Sequence, residues 1–149
     1  MDEYDVHERD KFGKTILHYY IETMKDLSID FREVFEELFK RGLDVDEKQL
    51  KGPFKRSYLH MAVNQNKIEL FNYLLSKDPD VNSVDANGNN IISTAVINYN
   101  KNPESFGHYI NELLKRKADP DQKNNYGNSA KKTATNVGNS DVGKFFQDS

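Results

Sequence analysis

The chain has 149 residues, a formal net charge of -3, a mean hydropathy of -0.84 and no cysteine. A chain of this length suffices for one compact unit that buries roughly 70% of its unfolded surface. The composition excludes thiol nucleophiles, thiolate metal sites and disulfides, and the near-neutral charge argues against a broad basic face for nucleic acid.

The start, Met1-Asp2-Glu3-Tyr4-Asp5, lacks the basic and then apolar pattern of a secretory signal. No run approaches the roughly 18 apolar residues of a membrane span. The expected location is the cytoplasm, without membrane association. Residues 1–9 read as an arm or cap rich in acids. Asp10-Lys11-Phe12-Gly13-Lys14-Thr15-Ile16-Leu17-His18 then reads as a turn entering a helix. Asp30 with Glu33 offers a capping box for a second helix, followed by Arg41-Gly42-Leu43-Asp44-Val45-Asp46.

The opening recurs as Phe54-Lys55-Arg56-Ser57-Tyr58-Leu59-His60-Met61-Ala62. Leu59, Ala62 and Val63 fall on one face of a short helix. Ile68, Leu70, Phe71, Leu74 and Leu75 line the next one, with Asn66 and Glu69 as its capping box. The closing signature returns as Lys77-Asp78-Pro79-Asp80-Val81-Asn82. A third opening, Asp85-Ala86-Asn87-Gly88-Asn89-Asn90-Ile91-Ile92, leads to the cap and first-turn proline Asn102-Pro103. That unit closes on Arg116-Lys117-Ala118-Asp119-Pro120-Asp121. A worn fourth opening, Asn124-Asn125-Tyr126-Gly127-Asn128-Ser129-Ala130, ends the series, and Val142-Gly143-Lys144-Phe145-Phe146 supplies apolar residues to close the core.

Aligned this way, positions 13, 55, 88 and 127 are equivalent, with spacings of 42, 33 and 39 residues. A period near 33 with two signatures recurring in register resembles the ankyrin-repeat family. The family pattern is Asp-x-x-Gly-x-Thr-Pro-Leu-His-x-Ala, a second helix ending Leu-Leu, then Gly-Ala-Asp-Val-Asn. The resemblance covers about residues 10–147. It implies an all-α solenoid of helix–turn–helix units joined by β-hairpin turns, with units over about 10–48, 52–84, 85–123 and 124–149. No unit keeps the proline; Ile16, Tyr58, Ile91 and Ala130 stand there. The surplus residues of the first unit fall near Met24–Ile29, between the helices, and near Lys48–Lys51, before the next hairpin. Those of the third fall at Tyr99–Ser105. The fourth unit, with Lys131 where leucine is expected, reads as a polar terminal cap.

Catalysis finds no support in the pattern. His18 and His60 are equivalent and lack the further ligands that zinc would need. They are expected to hydrogen-bond within and between neighbouring hairpins. Asp44, Asp46, Asp80, Asp119 and Asp121 fall at turns, where a carboxylate satisfies backbone N–H groups. Gly13-Lys14-Thr15 lacks the upstream glycine of a phosphate loop. No enzyme activity, metal or cofactor is expected.

The resemblance implies that a partner protein contacts the hairpin tips and the exposed face of the first helices. At the tips these positions are Lys11, Phe12, Lys14, Phe54, Arg56, Asn87, Asn89, Asn125, Tyr126 and Asn128; on the first helices they are Asn64, Gln65 and Asn98. Phe12, Phe54 and Tyr126 share one tip position. They either present aromatic anchors to a partner or fold back onto neighbouring hairpins. All 16 asparagines lie from Asn64 onward. They either line a groove as donors and acceptors or reflect a low-GC genome. The expected function is stoichiometric binding of a protein by a monomer or in a 1:1 complex. An immunity or antitoxin-like inhibitor of a bacterial toxin is one form of it. A viral ankyrin protein mimicking a host signalling inhibitor, or an accessory factor stabilising a partner enzyme, are the others.

Overall fold

A computed structural model describes residues 5–24, 30–136 and 140–147. The first-unit surplus at 25–29 lies outside the described residues. The fold is all-α, four successive turn-and-helix units: α1 (Ile16–Thr23) with α2 (Phe31–Lys40), α3 (Tyr58–Asn64) with α4 (Ile68–Leu75), α5 (Ile91–Asn98) with α6 (Pro103–Lys115), and α7 (Ala130–Asn136) with a 3-10 turn at Val142–Phe146. Among the described residues the only extended pairings are two isolated bridges, Lys48 with Ser57 and Val84 with Asn90. No described helix is long and apolar enough to cross a membrane.

Helices this short are marginal alone and depend on packing. The first helices stack in a row, α1 on α3, α3 on α5 and α5 on α7. Leu17, Ile21, Leu59, Ala62, Val63, Ile91, Ile92 and Ala95 are buried along it. The second helices join through rings. Phe31 and Phe35 of α2 meet Tyr73 of α4 edge-on, and Phe71 of α4 tilts against Tyr109 of α6 with centroids 4.6 Å apart. Val142 and Phe146 are buried at the far end, and the Phe145 ring meets Tyr99, so the terminal turn closes the core.

Local chemistry starts each first helix in the same way. Thr15, Ser57 and Asn90 accept the N–H of the residue three positions on, at N3. At α1 the His18 ring takes the Thr15 N–H in return, completing a capping box with histidine in place of glutamate. Asp30 caps α2 and Asn102 caps α6 ahead of Pro103.

Two expectations change. Asn66 does not cap α4. Lys67 holds that position without a side-chain bond, and Asn66 has φ 54°, ending α3 in the left-handed region that asparagine tolerates. Its Oδ1 accepts the Tyr109 hydroxyl at 2.6 Å, tying the second unit to the third. Ile68 sits on the first turn of α4 and is 38% exposed, off the buried face. The third-unit surplus lengthens helical structure: a 3-10 turn at Tyr99–Lys101 leads into the 13-residue α6, whose Phe106, Tyr109, Ile110 and Leu113 are buried.

Candidate functional site

The hairpin tips form a row joined backbone to backbone. The Leu50 N–H donates to the Gly13 carbonyl, Ala86 N–H to the Phe54 carbonyl, and Asn125 N–H to the Asn87 carbonyl. Within each tip an Asx turn sets the bend. Asp10, Asp85 and Asn124 each accept the N–H groups two and four residues on. These bonds to the ionised carboxylate hold the Asp10 carboxyl below its ordinary range, the Lys14 N–H contributing most.

Positive φ at Gly13, Gly88 and Gly127 completes the bends. At Gly88 the neighbour also matters. A methyl there would stand 2.6 Å from Asn125 Oδ1 and 2.9 Å from Asn125 N, whereas nothing lies within 4 Å of the same point at Gly127. Gly127→Ala is therefore expected to cost about 1–2 kcal/mol of left-handed strain. Gly88→Ala adds a clash of about 1–3 kcal/mol. Urea titration of both variants checks this ordering, and equal losses would remove the inter-tip contact from the account.

The second tip is larger than the others. Lys48 bridges Ser57 and Gln49 N–H donates to the Arg56 carbonyl, just as Val84 bridges Asn90 and Asp85 N–H donates to the Asn89 carbonyl. Residues 50–52 are thus extra residues inside the hairpin, not ahead of it. Pro53 falls where Ala86 and Asn125 donate across the row, and it has no N–H. The Gln49 side chain bonds the Phe12 carbonyl at 3.1 Å. The sequence pattern places Lys48–Lys51 before the hairpin, counting back from position 55, and so leaves Leu50 and Lys51 out of the tip residues. The missing N–H of Pro53 was the available signal. Lys55, at the glycine-equivalent position, has φ 51°.

The three tip rings are exposed: Phe12 50%, Phe54 45% and Tyr126 74%. The chain's own cations dress two of them. The Lys11 and Lys14 ammonium groups lie 5.1 and 5.4 Å from the Phe12 centroid, and the Arg56 guanidinium 4.1 Å from that of Phe54. Lys14 also pairs with Glu22 at 2.7 Å.

The asparagines divide. Asn98 is 7% exposed and donates to the Thr94 carbonyl, so it is not on the groove surface. Asn89 accepts from Asn124, and Asn125 donates to the Ala86 carbonyl, so both bind neighbouring tips. Asn82 accepts the Asp119 N–H across units, and Asn66 accepts the Tyr109 hydroxyl likewise, while Asn90 donates to the Asp119 carbonyl and to Gln122 within the third unit. Much of the asparagine content therefore stitches units together. Asn64 and Gln65 face a recess of about 280 Å³ between the first and second units, walled also by Lys14, Glu22, Phe54 and Arg56. Asn87 and Asn128 are half-buried in their tips.

The histidines belong to the frame. His18 Nε2 reaches the Arg56 carbonyl at 3.1 Å and His60 Nε2 the Asn89 carbonyl at 3.0 Å, each bridging to the next tip. Burial pushes the His18 imidazole down to about 4 and lowers His60 likewise. Among the described residues no three of His, Asp and Glu gather as a metal cluster.

The family model described as "Ankyrin repeats (3 copies)" matches residues 59–148, well over half of the chain. The match begins within α3, so the first unit precedes it. No curated protein matches the chain.

Proposed function

Because the chain belongs to the ankyrin-repeat family, whose members are non-enzymatic protein–protein interaction modules, we propose that it acts by stoichiometric binding of a partner protein along the row of hairpin tips. The observation that carries this is the simultaneous exposure of Phe12, Phe54 and Tyr126 on tips locked to one another by backbone bonds. A preformed row loses little ordering entropy on binding, and aromatic residues dominate interface energetics. Masking of a toxin, or support of a partner enzyme, needs only this binding and no chemistry at the site.

The triple variant Phe12→Ala, Phe54→Ala, Tyr126→Ala is expected to weaken partner binding at least about tenfold, since truncating even one anchor of an interface commonly costs more than 1 kcal/mol. Stability should move within about 0.5 kcal/mol for each exposed ring. Titration of the partner captured from the native host checks the first part and thermal melting the second. Unchanged affinity would move the interface away from the tips.

A further inference from the structure

The tip row is chemically uneven. At the first two tips, Phe12, Leu50 and Phe54 are exposed, Leu50 by 59%. Lys11, Lys14, Lys51, Lys55 and Arg56 surround them. At the third and fourth tips the corresponding residues are Ala86, Asn87, Asn89, Asn125, Tyr126 and Asn128, all uncharged.

Of the acids near the basic end, Glu22 pairs with Lys14, Glu47 pairs with Arg9, and the carboxylates of Asp10 and of Asp85, the acid whose charge Arg56 feels, are turned into their own hairpins. Lys11, Lys51, Lys55 and Arg56 have no ion pair among the described residues. Arg56 is the most telling of these. Its guanidinium lies over the Phe54 ring, 4.1 Å from the centroid, at the wall of the recess of about 280 Å³. A guanidinium is built for a carboxylate. Lys55 adds to this. It places a cation in left-handed backbone where glycine is the unstrained choice.

We propose that this end of the row docks an acidic, apolar-bearing segment of a partner protein, with a carboxylate on Arg56 at the recess and apolar side chains on Phe12, Leu50 and Phe54. This rests on the tips being the binding face. The uncharged tips beyond Asn87 set the direction of the segment, its acidic part lying over the first two units. Complementary charge of this kind speeds association and makes affinity fall with salt.

The test is selection of phage-displayed random dodecapeptides on the immobilised full chain, followed by titration of synthetic copies of the selected peptides. The expected result is enrichment of Asp and Glu beside Leu or aromatic residues. Affinity should fall about tenfold at high salt and on Lys51→Glu, a fully surface change that leaves folding intact. Arg56→Gln should lower it similarly, with circular dichroism confirming the fold. Neutral or basic peptides that still depend on Phe12 and Phe54 would overturn the acidic partner and leave the tips as the binding face. Peptides indifferent to Phe12, Phe54 and Tyr126 would overturn both. A selection without tip-dependent peptides, or binding of a labelled single-stranded oligonucleotide abolished by Lys51→Glu, also overturns the proposal.

Discussion

Lowering the pH from about 7 to about 5 is expected to destabilise the chain by several kcal/mol before most carboxylates titrate. The cause is the bonding of two buried histidines. Nε2–H of His18 donates to the Arg56 carbonyl, so Nδ1 must be the unprotonated acceptor for the Thr15 N–H at 3.1 Å. His60 repeats the arrangement, with Nδ1 on the Ser57 hydroxyl and Nε2 on the Asn89 carbonyl. A proton added at Nδ1 of His18 would face an N–H donor and carry a charge into a site with no exposure. Folding therefore requires the neutral ring, while the unfolded chain protonates near its ordinary value of 6.5. With the folded value depressed, stability is fully present above about pH 6.5 and is lost as pH falls toward about 4. At about pH 5 the loss is about 2 kcal/mol for each ring. For the pair this is a large part of a total of about 5–15 kcal/mol. Asp10 and Asp141, lowered by their hydrogen bonds, contribute a further loss only at lower pH. Urea titrations near neutral pH and near pH 5 measure the difference. A loss below about 1 kcal/mol would mean that the rings are not held neutral. His60→Gln should lower stability at neutral pH and flatten the profile.

Those histidines were legible in the sequence because a repeat multiplies its own evidence. His18 and His60 stand at one position behind Thr15 and Ser57, and their bridging role follows from that register. The third unit shows why register has limits. Ser93 replaces the histidine there, and its buried hydroxyl has no hydrogen-bond partner among the described residues. The Asn90 amide instead reaches the Asp119 carbonyl at 2.9 Å, within the same unit, and the link to the fourth unit falls to Asn124 and Asn125, which donate to Asn89 Oδ1 and the Ala86 carbonyl. A helix cap has become the strut to its own unit's closing loop, and this depends on where the Asp119 loop lies in space. Asn66 was misplaced for a similar reason. Its spacing to Glu69 fits a capping box, but the end of α3 needed a residue that tolerates positive φ more than α4 needed a cap.

The surface was less legible than the frame. The shared position of Phe12, Phe54 and Tyr126 is visible in the alignment, but their exposure is not, since a ring at a turn can lie down or stand out. Cations stand over two of them, Lys11 and Lys14 over Phe12 and Arg56 over Phe54. Asparagine shows the opposite failure. Clustering in sequence suggested a common surface, yet Asn82, Asn90 and Asn124 bond loop or turn groups of the stack, and Asn98 bonds the Thr94 carbonyl of its own helix. Donor and acceptor capacity was read correctly from residue type; the address of the bond was not.

Replacing Phe71 by alanine is expected to cost about 3–5 kcal/mol, the range for a buried ring. Phe71 has no exposed surface and spans the contact between the second and third units, with its ring 4.6 Å from Tyr109 and 6.1 Å from His108. Neighbouring helices cannot easily collapse into the void. Asn66 Oδ1 pins the Tyr109 hydroxyl at 2.6 Å and Asn72 Oδ1 holds His108 at 3.0 Å. In a stack, each unit is stabilised mainly by the interface with its neighbour. Loss at this joint should therefore separate the first two units from the last two, and the transition should broaden as well as shift. Ile68→Ala, one turn earlier on the same helix and 38% exposed, should cost less than about 1 kcal/mol. Denaturant unfolding of both variants, followed by a lower slope for Phe71→Ala, measures the contrast. Similar costs for the two residues would place Phe71 outside the joint and would take the α4–α6 ring contact out of the interactions that join the second unit to the third.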